Sequence, residues 1–367
     1  MSVLFRSLGL AFLAVVVASC GSESSPNGAT PDPTASSSTA PASVTPSGSP
    51  TAAPEPGPRY GVAGFVPPNW PSPSNDDWAT LFDSFSETGP LIGVYTNWTD
   101  SPATEGEVPA VIRTAFDIAG RQDLVPVVAL GTASDSPTGV TPTIDWSDQA
   151  QVERFLAAVT AVASTYQPEY LAIGGEINRL WESDPAAFDQ FMTGYRLAYD
   201  AAKVASPETR VFTIFQLEML RGDAFLAGNS ESREPAWRLI DQFAGALDLV
   251  GFTSYPFLDF ETPSAIPAGY YAELPGQLGL PVLITEIGWP SAPLAAAPGS
   301  AYGGSPEEQA EFIETLPALL GPGVEGLLWS FPYDIGAAIS GPFESVALRE
   351  STGAPKPALA AWQALSE

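Results

Sequence analysis

Two glutamates, Glu176 and Glu286, each follow an apolar run of the chain and are the residues best placed for chemistry. A carboxylate in such a position is either buried at a cost in free energy or directed into an open cavity. When two carboxyl groups lie close together, the charge of one raises the pKa of the other, so an acid and an anion can coexist near neutral pH. Retaining cleavage of a glycosidic bond uses such a pair, with the carboxyl groups about 5–5.5 Å apart. The two glutamates therefore predict glycosidic cleavage, provided that the fold brings them together.

The composition excludes several other kinds of chemistry. The 367-residue chain has no histidine and a single cysteine, Cys20. Ser-His-Asp and Cys-His catalysis and an intrachain disulfide are therefore excluded, and a zinc site is not expected. The formal net charge of −28 would repel a phosphate backbone, so nucleic acid is not an expected partner. We expect carboxylates to do the acid–base work, with no metal and no cofactor.

Short apolar runs alternate with longer amphipathic segments from Tyr60 onward, which is typical of βα units around a parallel sheet. The runs are nearly continuous in Val, Ile, Leu and Phe, as expected of strands that are buried on both faces. The eight predicted strands are Tyr60–Phe65, Leu91–Tyr95, Leu124–Leu130, Tyr170–Gly174, Arg210–Phe215, Leu247–Ser254, Pro281–Thr285 and Gly326–Ser330.

Caps and apolar spacing predict the intervening helices. Asp184-Pro185 and Ser305-Pro306 each combine an N-cap with proline at the first helical position. The segment Tyr270–Leu278 should supply a short helix, and Ala358–Leu365 the last one. One predicted helical face is formed by Val152, Phe155, Val159, Val162 and Tyr166.

This order of elements predicts one (β/α)₈ TIM barrel over residues 59–367. A doubly wound open sheet is the alternative, which the absence of a glycine-rich phosphate loop disfavours. In a TIM barrel the working groups lie at the C-terminal ends of the strands. Glu176, after the fourth predicted strand, and Glu286, after the seventh, would then face each other across the barrel mouth.

The N-terminal residues predict export. Residues 1–19 have the charge and apolar run of a secretory signal, and Val17-Ala18-Ser19-Cys20 resembles the bacterial lipobox. We expect lipidation of Cys20 to anchor the protein to the membrane on its extracytoplasmic side. The alternative is a plain secretory signal cleaved near the same place. Residues 20–58 are almost entirely Ser, Thr, Pro, Ala and Gly and are expected to form a disordered linker.

Three segments resemble glycoside hydrolases of clan A, whose members are retaining TIM-barrel enzymes. Thr285-Glu286-Ile287-Gly288-Trp289-Pro290-Ser291 is similar to the nucleophile motif of the endo-β-1,3-glucanase family 17. Ser254-Tyr255-Pro256-Phe257 resembles a Tyr-Pro segment of that family. Gly175-Glu176-Ile177-Asn178, followed by Trp181, looks more like the acid/base region of the β-1,4-galactanase family 53.

The resemblance implies a role for each of these segments. Glu176 would be the acid/base and Glu286 the nucleophile, while Tyr255 would hydrogen-bond Glu286 and hold it ionised. Trp329 would be the floor beneath the sugar at the point of cleavage. The chain departs from the clan at Gly175, where an asparagine usually contacts the sugar 2-hydroxyl group. Because that contact strengthens in the transition state, its loss should lower the rate.

Aromatic and amide side chains near the strand ends are the candidates for sugar binding, with ordinary packing as the alternative for each. Packing is favoured for Trp289, while Trp237 and Trp362 lie in helical stretches and are predicted to be core residues. Gln216, Glu218 and Asp334 also follow strands; they could bind sugar hydroxyl groups, but the prediction for each is a loop residue. The predicted substrate-binding residues are Tyr255, Trp329, Asn178, Trp181, Asn97 and Trp98.

The leading hypothesis is a surface-anchored retaining glycosidase whose partner is a β-linked polysaccharide or oligosaccharide of the β-glucan or β-galactan type. Gly175 motivates a second hypothesis, a catalytically impaired barrel that binds cell-wall glycan. A glycan-remodelling transglycosidase is the third, since a covalent intermediate can pass to a sugar instead of water.

Overall fold

The computed structural model describes residues 57–100, 108–136, 139–222, 234–293, 304–335 and 343–365. The predicted signal, the lipidation site at Cys20 and the linker lie outside the described residues. Within the described ranges, no helix is both long and apolar enough to span a bilayer.

A parallel sheet forms the centre of the fold. Its strands are β1 (Arg59–Ala63), β2 (Leu91–Asn97), β3 (Val125–Gly131), β4 (Tyr170–Ile173), β5 (Arg210–Phe212 and Ile214–Gln216), β6 (Val250–Ser254), β7 (Val282–Ile287) and β8 (Val324–Ser330). The sheet has nine segments, and its two outermost ones are the halves of β5. The first half pairs with β4 and the second with β6, and only Thr213 separates them. The sheet therefore returns on itself, which confirms the predicted TIM barrel and rules out the open sheet.

The helices that surround the barrel are α1 (Asn75–Ser84), α2 (Ala110–Gln122), α3 (Gln149–Tyr166), α4 (Ile177–Ser183), α5 (Pro185–Ala205), α6 (Leu217–Arg221), α7 (Arg238–Asp241), α8 (Leu274–Leu278), α9 (Pro306–Leu319) and α10 (Pro357–Leu365). A short antiparallel hairpin, Ala133–Ser136 with Gly139–Pro142, follows β3. The predicted caps are present: the side chain of Asp184 accepts from the Ala187 amide, and that of Ser305 accepts from the Glu308 amide.

Alternate residues of each strand point into the barrel, because successive side chains of a strand lie on opposite faces. The interior is a buried apolar cluster to which every strand or its flank contributes. Its members are Ala63, Leu91, Val127, Ala129, Tyr170, Ala172, Phe212, Ile214, Leu249, Leu283 and Leu328. These residues fix which positions at the upper end of each strand face inward, and so which side chains can reach the mouth.

A polar network closes the N-terminal end of the barrel. The Arg59 guanidinium pairs with Glu169 at 2.5 Å, and Arg210 pairs with Glu325. The hydroxyl group of Tyr170 contacts both Arg59 and Glu325. The functional groups of a TIM barrel lie at the opposite, C-terminal end.

Candidate active site

Glu176 lies where β4 turns into α4. It continues the inward series of Tyr170 and Ala172 and is only 3% exposed. Its backbone is left-handed, with φ 46° and ψ 44°, a conformation that is unfavourable for a residue with a side chain. The preceding Gly174 is at φ +80°, and a Cβ there would lie 2.7 Å from the Phe191 ring. This strained turn aims the carboxyl group back across the mouth.

Glu286 is directed inward by an irregularity in β7. Leu283 faces the core, so regular alternation would point Thr285 inward and Glu286 outward. The pairing of β7 with β6 shifts register between Ile284 and Glu286, as in a β-bulge. The shift turns the Glu286 carboxyl group toward the barrel mouth. Glu286 is 8% exposed.

Thr253 links the two glutamates. Its hydroxyl group donates to Glu176 Oε1 at 2.6 Å, and its Cα is the strand partner of Glu286 in the register of β6 and β7. Neighbouring strands are about 4.8 Å apart. The structure therefore brings Glu176 and Glu286 to the same place at the C-terminal end of the barrel.

Tyr255, directly after β6, bridges Glu286 and the last strand. Its hydroxyl group donates to Glu286 Oε2 at 2.6 Å and lies 2.8 Å from Ser330 Oγ. The ring is fully buried, which leaves it no apolar face for a sugar. The hydrogen bond implied by the resemblance is present, and Tyr255 can act on substrate only through Glu286.

The electrostatics of the ligand-free pair differ from the roles that the resemblance implies. Burial and the negative charge of Glu176 raise the pKa of Glu286 to about 8, and the hydrogen bond from Tyr255 offsets this only in part. Tyr255 therefore does not hold Glu286 ionised at neutral pH, contrary to expectation. Arg179, in the first turn of α4, forms an ion pair with Glu176, with Nη1 2.6 Å from Oε2.

Tyr95 of β2 completes the ring of groups around the pair. Its hydroxyl group donates to the Thr285 carbonyl within the irregular part of β7. Burial, followed by the charges of Glu286 and Glu176, raises the pKa of Tyr95 well above its ordinary value. Tyr95 thus remains neutral and holds the bulge that directs Glu286 inward.

Glu218 was predicted to be a loop residue, but it is fully buried in α6, behind Tyr255. Its carboxyl group accepts hydrogen bonds from Ser254 Oγ at 2.6 Å, Gln216 Nε2 at 2.5 Å and the Tyr255 amide at 3.1 Å. Tyr270 donates a further bond at 3.2 Å. These bonds fix the backbone of Tyr255 and hence the hydroxyl group that contacts Glu286.

Trp329 is not the floor of a sugar site. Leu328 faces the barrel interior, so Trp329 faces the helices, where its ring packs against Phe312 and Trp362. It is fully buried, and its Nε1 donates to the Val346 carbonyl at 2.7 Å. The inward position at this end of β8 belongs to Ser330, which contacts Tyr255.

The prediction that Trp98 binds sugar is wrong for the same reason, because its side chain faces away from the barrel mouth. Tyr95 and Asn97 share the inward face of β2, so Trp98 turns outward onto Phe155 of α3. It is 2% exposed, and its Nε1 donates to Thr143 Oγ1 at 3.1 Å. Both tryptophans belong to the packing between strands and helices, as do Trp289 and Trp362.

The outward packing of Trp329 makes a direct prediction. Trp329→Ala should lower the free energy of unfolding by about 3–5 kcal/mol, because it leaves a large cavity between the strands and helices. Chemical denaturation measures this loss, with Trp329→Phe as the milder control. A stable Trp329→Ala protein that binds glycan more weakly would instead favour the sugar-floor role.

Asn178 is a structural residue rather than a sugar ligand. It is 2% exposed, and its side-chain amide exchanges two 2.9 Å hydrogen bonds with the backbone of Gln216, which ties α4 to the end of β5. Asn97 is half-buried at the end of β2, beside Gly131. Trp181 is half-buried in α4, and the Arg238 guanidinium lies 5.5 Å from its ring centroid. Of the predicted sugar ligands, Asn97 and Trp181 retain partly exposed side chains.

Asp334 was also predicted to be a loop residue, and it follows β8 away from the pair. Burial raises its pKa to about 6, and the ion pair with Lys356 at 2.7 Å opposes that rise.

Among the described residues, no group of three or more His, Cys, Asp or Glu side chains is arranged to hold a metal ion.

The solved structures that the chain resembles include several glycoside hydrolases. A family 39 glycoside hydrolase from the gut symbiont Bacteroides cellulosilyticus WH2 superposes with a TM-score of 0.58 at 16% identity over 83% of this chain and 62% of that chain. A GH5_18 protein from Streptomyces cattleya in complex with GlcNAc gives 0.61 at 19% identity, covering 84% of this chain and 79% of that one. An exo-β-1,4-mannosidase from Opitutaceae bacterium strain TAV5 gives 0.58 at 19% identity, covering 84% and 60%.

These likenesses establish that the chain has the TIM-barrel fold found in these glycoside hydrolases. The sequence matches no family model and no curated protein. The structures reported above belong to other families than 17 and 53, so the resemblance to those two families gains no support from them. The chain spans less than two thirds of the length of the family 39 enzyme.

Proposed function

We propose that this barrel is a retaining glycoside hydrolase that acts on a β-linked glycan, with Glu176 and Glu286 as its catalytic pair. The observation that carries the proposal concerns Thr253, at the C-terminal end of the barrel: its hydroxyl group binds the Glu176 carboxyl group, and its backbone is the strand partner of Glu286. The two carboxyl groups lie close enough for the charge of Glu176 to raise the pKa of Glu286. Such a pair is the requirement of double-displacement glycosidic cleavage.

At neutral pH, burial and the charge of Glu176 keep a proton on the Glu286 carboxyl group, whose pKa is about 8. In the ligand-free barrel, Arg179 pairs with the Glu176 carboxyl group at 2.6 Å. Catalysis requires the opposite distribution, so entry of the sugar must loosen the Arg179 contact and transfer the proton to Glu176. The coupled pair loses its last proton as one unit, whichever carboxyl group carries it.

The reaction then proceeds in two displacements. Glu176 donates its proton to the glycosidic oxygen while the Glu286 carboxylate attacks the anomeric carbon, and the bond to the leaving sugar breaks. Water then attacks the anomeric carbon of the resulting ester and gives its proton to Glu176, which restores both groups. Thr253 and Tyr255 orient the two carboxyl groups through their 2.6 Å hydrogen bonds.

The proposed substrates follow from the resemblance of two segments to known enzymes and from the structural neighbours. We include β-glucans and β-galactans, because the segments around Glu286 and Glu176 resemble enzymes of those classes. We add β-mannosides, because one neighbour is an exo-β-1,4-mannosidase and another is a GH5_18 protein in complex with Manβ1-4GlcNAc. The N-terminal signal, Cys20 and the linker would place the barrel outside the membrane, tethered by a lipid.

The experiment that tests this function is hydrolysis of a panel of aryl β-glycosides and β-linked polysaccharides, with its pH dependence. Above about pH 8, kcat/KM should fall roughly tenfold per pH unit, because the pair then loses its shared proton and has no acid. Just below that limit one carboxyl group still carries a proton, and the enzyme is active. An alkaline limit near pH 6, or no turnover of any substrate, would reject the assignment.

Glycan binding without turnover is a second candidate function, favoured by a specific contact. Arg179 forms an ion pair with Glu176, and Gly175 stands where an asparagine usually precedes the acid/base. A barrel whose pair stays in this state would bind glycan and not cleave it. Measurable affinity for a polysaccharide that the protein leaves intact would select this function.

A further inference from the structure

A cavity whose lining does not include Glu176 or Glu286 lies between the segments that follow β5 and β6. Its volume is about 380 Å³, within the range of sites for small molecules. Its lining includes Arg221, Trp237, Phe260, Tyr270, Glu273 and Gln277. Trp237 was predicted to be a core residue, but it is half-buried and forms part of this wall.

Direct contacts fix one side of the cavity. The Arg221 guanidinium lies 3.9 Å from the Tyr270 ring centroid, and its Nη2 donates to the Tyr270 carbonyl at 2.5 Å. The edge of Phe260 meets Tyr270 with ring centroids 5.7 Å apart. Tyr270 is 4% exposed, and its hydroxyl group is bonded to Glu218. The cavity is therefore preformed, which lowers the entropy lost when a ligand binds.

The lining matches the chemistry of a neutral sugar. Trp237 and Phe260 are half-buried and supply apolar ring surface for the C–H face of a pyranose. Arg221 and Gln277 can donate hydrogen bonds, and Glu273 can accept them, which suits hydroxyl groups that do both. An anionic ligand is disfavoured, because Asp259 and Glu273 outnumber Arg221 in the lining and the chain carries a net charge of −28.

We infer that this cavity is a second glycan-binding site, which holds one neutral sugar unit of a β-linked polysaccharide. The identity of the ligand rests on the proposed function. Arg221 ends α6, which follows the C-terminal end of β5, while Glu273 and Gln277 belong to the segment that leads into β7. Tyr270 and the Tyr255 amide donate to the same carboxyl group, that of Glu218. Hydrogen bonds through Glu218 and Tyr255 thus connect the wall of the cavity to Glu286.

The test uses the full chain with Glu286→Gln, so that bound polymer is not consumed. Affinity electrophoresis in gels that contain β-1,3-glucan, β-1,4-galactan or β-1,4-mannan measures binding. Adding Trp237→Ala should weaken binding of the retained polymer about tenfold, which corresponds to roughly 1.4 kcal/mol. Gln277→Ala, an exposed position of α8, should weaken it several-fold without affecting the core. Trp78→Ala, a half-buried tryptophan of α1 outside the cavity, should leave binding unchanged.

The same substitutions in the chain with Glu286 intact separate this site from the pair. Trp237→Ala and Gln277→Ala should leave kcat/KM for a small aryl glycoside unchanged and raise KM for the polymer. Binding that depends on Trp237 in a protein with no hydrolytic activity would reject the proposed function and retain the second site. Equal affinities in the Trp237→Ala, Gln277→Ala and Trp78→Ala proteins would overturn the site, as would no retention by any of the three polymers.

Discussion

Replacing Glu286 with glutamine is expected to lower kcat for a β-glycoside by at least ~10³-fold, because an amide cannot attack the anomeric carbon. The substitution preserves the shape of the side chain, and the amide oxygen can still accept the hydrogen bond from Tyr255. The measurement is steady-state hydrolysis of the best substrate of the panel. Glu311→Gln, at an exposed position of α9, is the matched control and should keep the full rate.

Glu176→Gln should show a different signature, which identifies the acid. Hydrolysis of a substrate with a poor leaving group should fall by about 10²–10⁴-fold, because no proton is available for the glycosidic oxygen. An activated aryl glycoside needs no such proton, so its glycosylation step should be largely retained. If Glu286→Gln and Glu176→Gln both kept wild-type rates on every substrate, the catalytic pair would be misassigned.

The second large effect is on stability. At alkaline pH the Glu286→Gln protein is expected to have a higher free energy of unfolding than the wild type. The folded-state pKa of Glu286 is about 8, against an ordinary value of 4.5. The folded protein therefore binds a proton that the unfolded chain releases between these pH values, and wild-type stability falls as the pH rises through that window. Glutamine removes this dependence, so the difference should be small near pH 4.5 and reach about 2–5 kcal/mol above pH 8.

Denaturant unfolding of the two proteins across this pH range measures the difference. Glu311→Gln again serves as the control, and its stability should track that of the wild type. A Glu286→Gln protein whose advantage did not grow with pH would show that Glu286 is ionised in the folded state. That result would agree with the roles that the family resemblance implies, in which Glu286 is the ionised nucleophile.

The placement of Glu176 and Glu286 could be predicted from the sequence because it depends on the ends of strands. The apolar runs are near-continuous, so their number, order and approximate ends are readable. In a TIM barrel those features alone determine which residues meet at the mouth. The same reasoning predicted the N-caps at Asp184 and Ser305, since capping is a local property of the chain.

The inward or outward direction of a side chain could not be predicted in the same way. Strands buried on both faces carry no alternation of polar and apolar residues, so the sequence does not reveal which face is which. Trp329 and Trp98 were therefore expected at the mouth, whereas the structure places them against the helices. The register shift in β7 is a further case, because no residue type in Ile284-Thr285-Glu286 signals a bulge.

The environment of the pair depends on contacts between segments far apart in the chain. Glu218 meets Tyr255 and Tyr270 only once α6 has packed against the segment after β6. Arg179, by contrast, lies three residues after Glu176, a spacing that brings helical side chains together. That spacing was the signal that could have identified the ion pair, and with it the uneven sharing of the proton.

The anomeric configuration of the first product tests the central claim most directly. ¹H NMR of the reaction mixture, recorded before mutarotation, resolves the two anomers released from whichever β-glycoside the protein cleaves. Two carboxyl groups that act by double displacement should release the β-anomer, with the configuration of the substrate retained. Release of the α-anomer would show a single displacement by water and would contradict the assignment of Glu286 as a nucleophile.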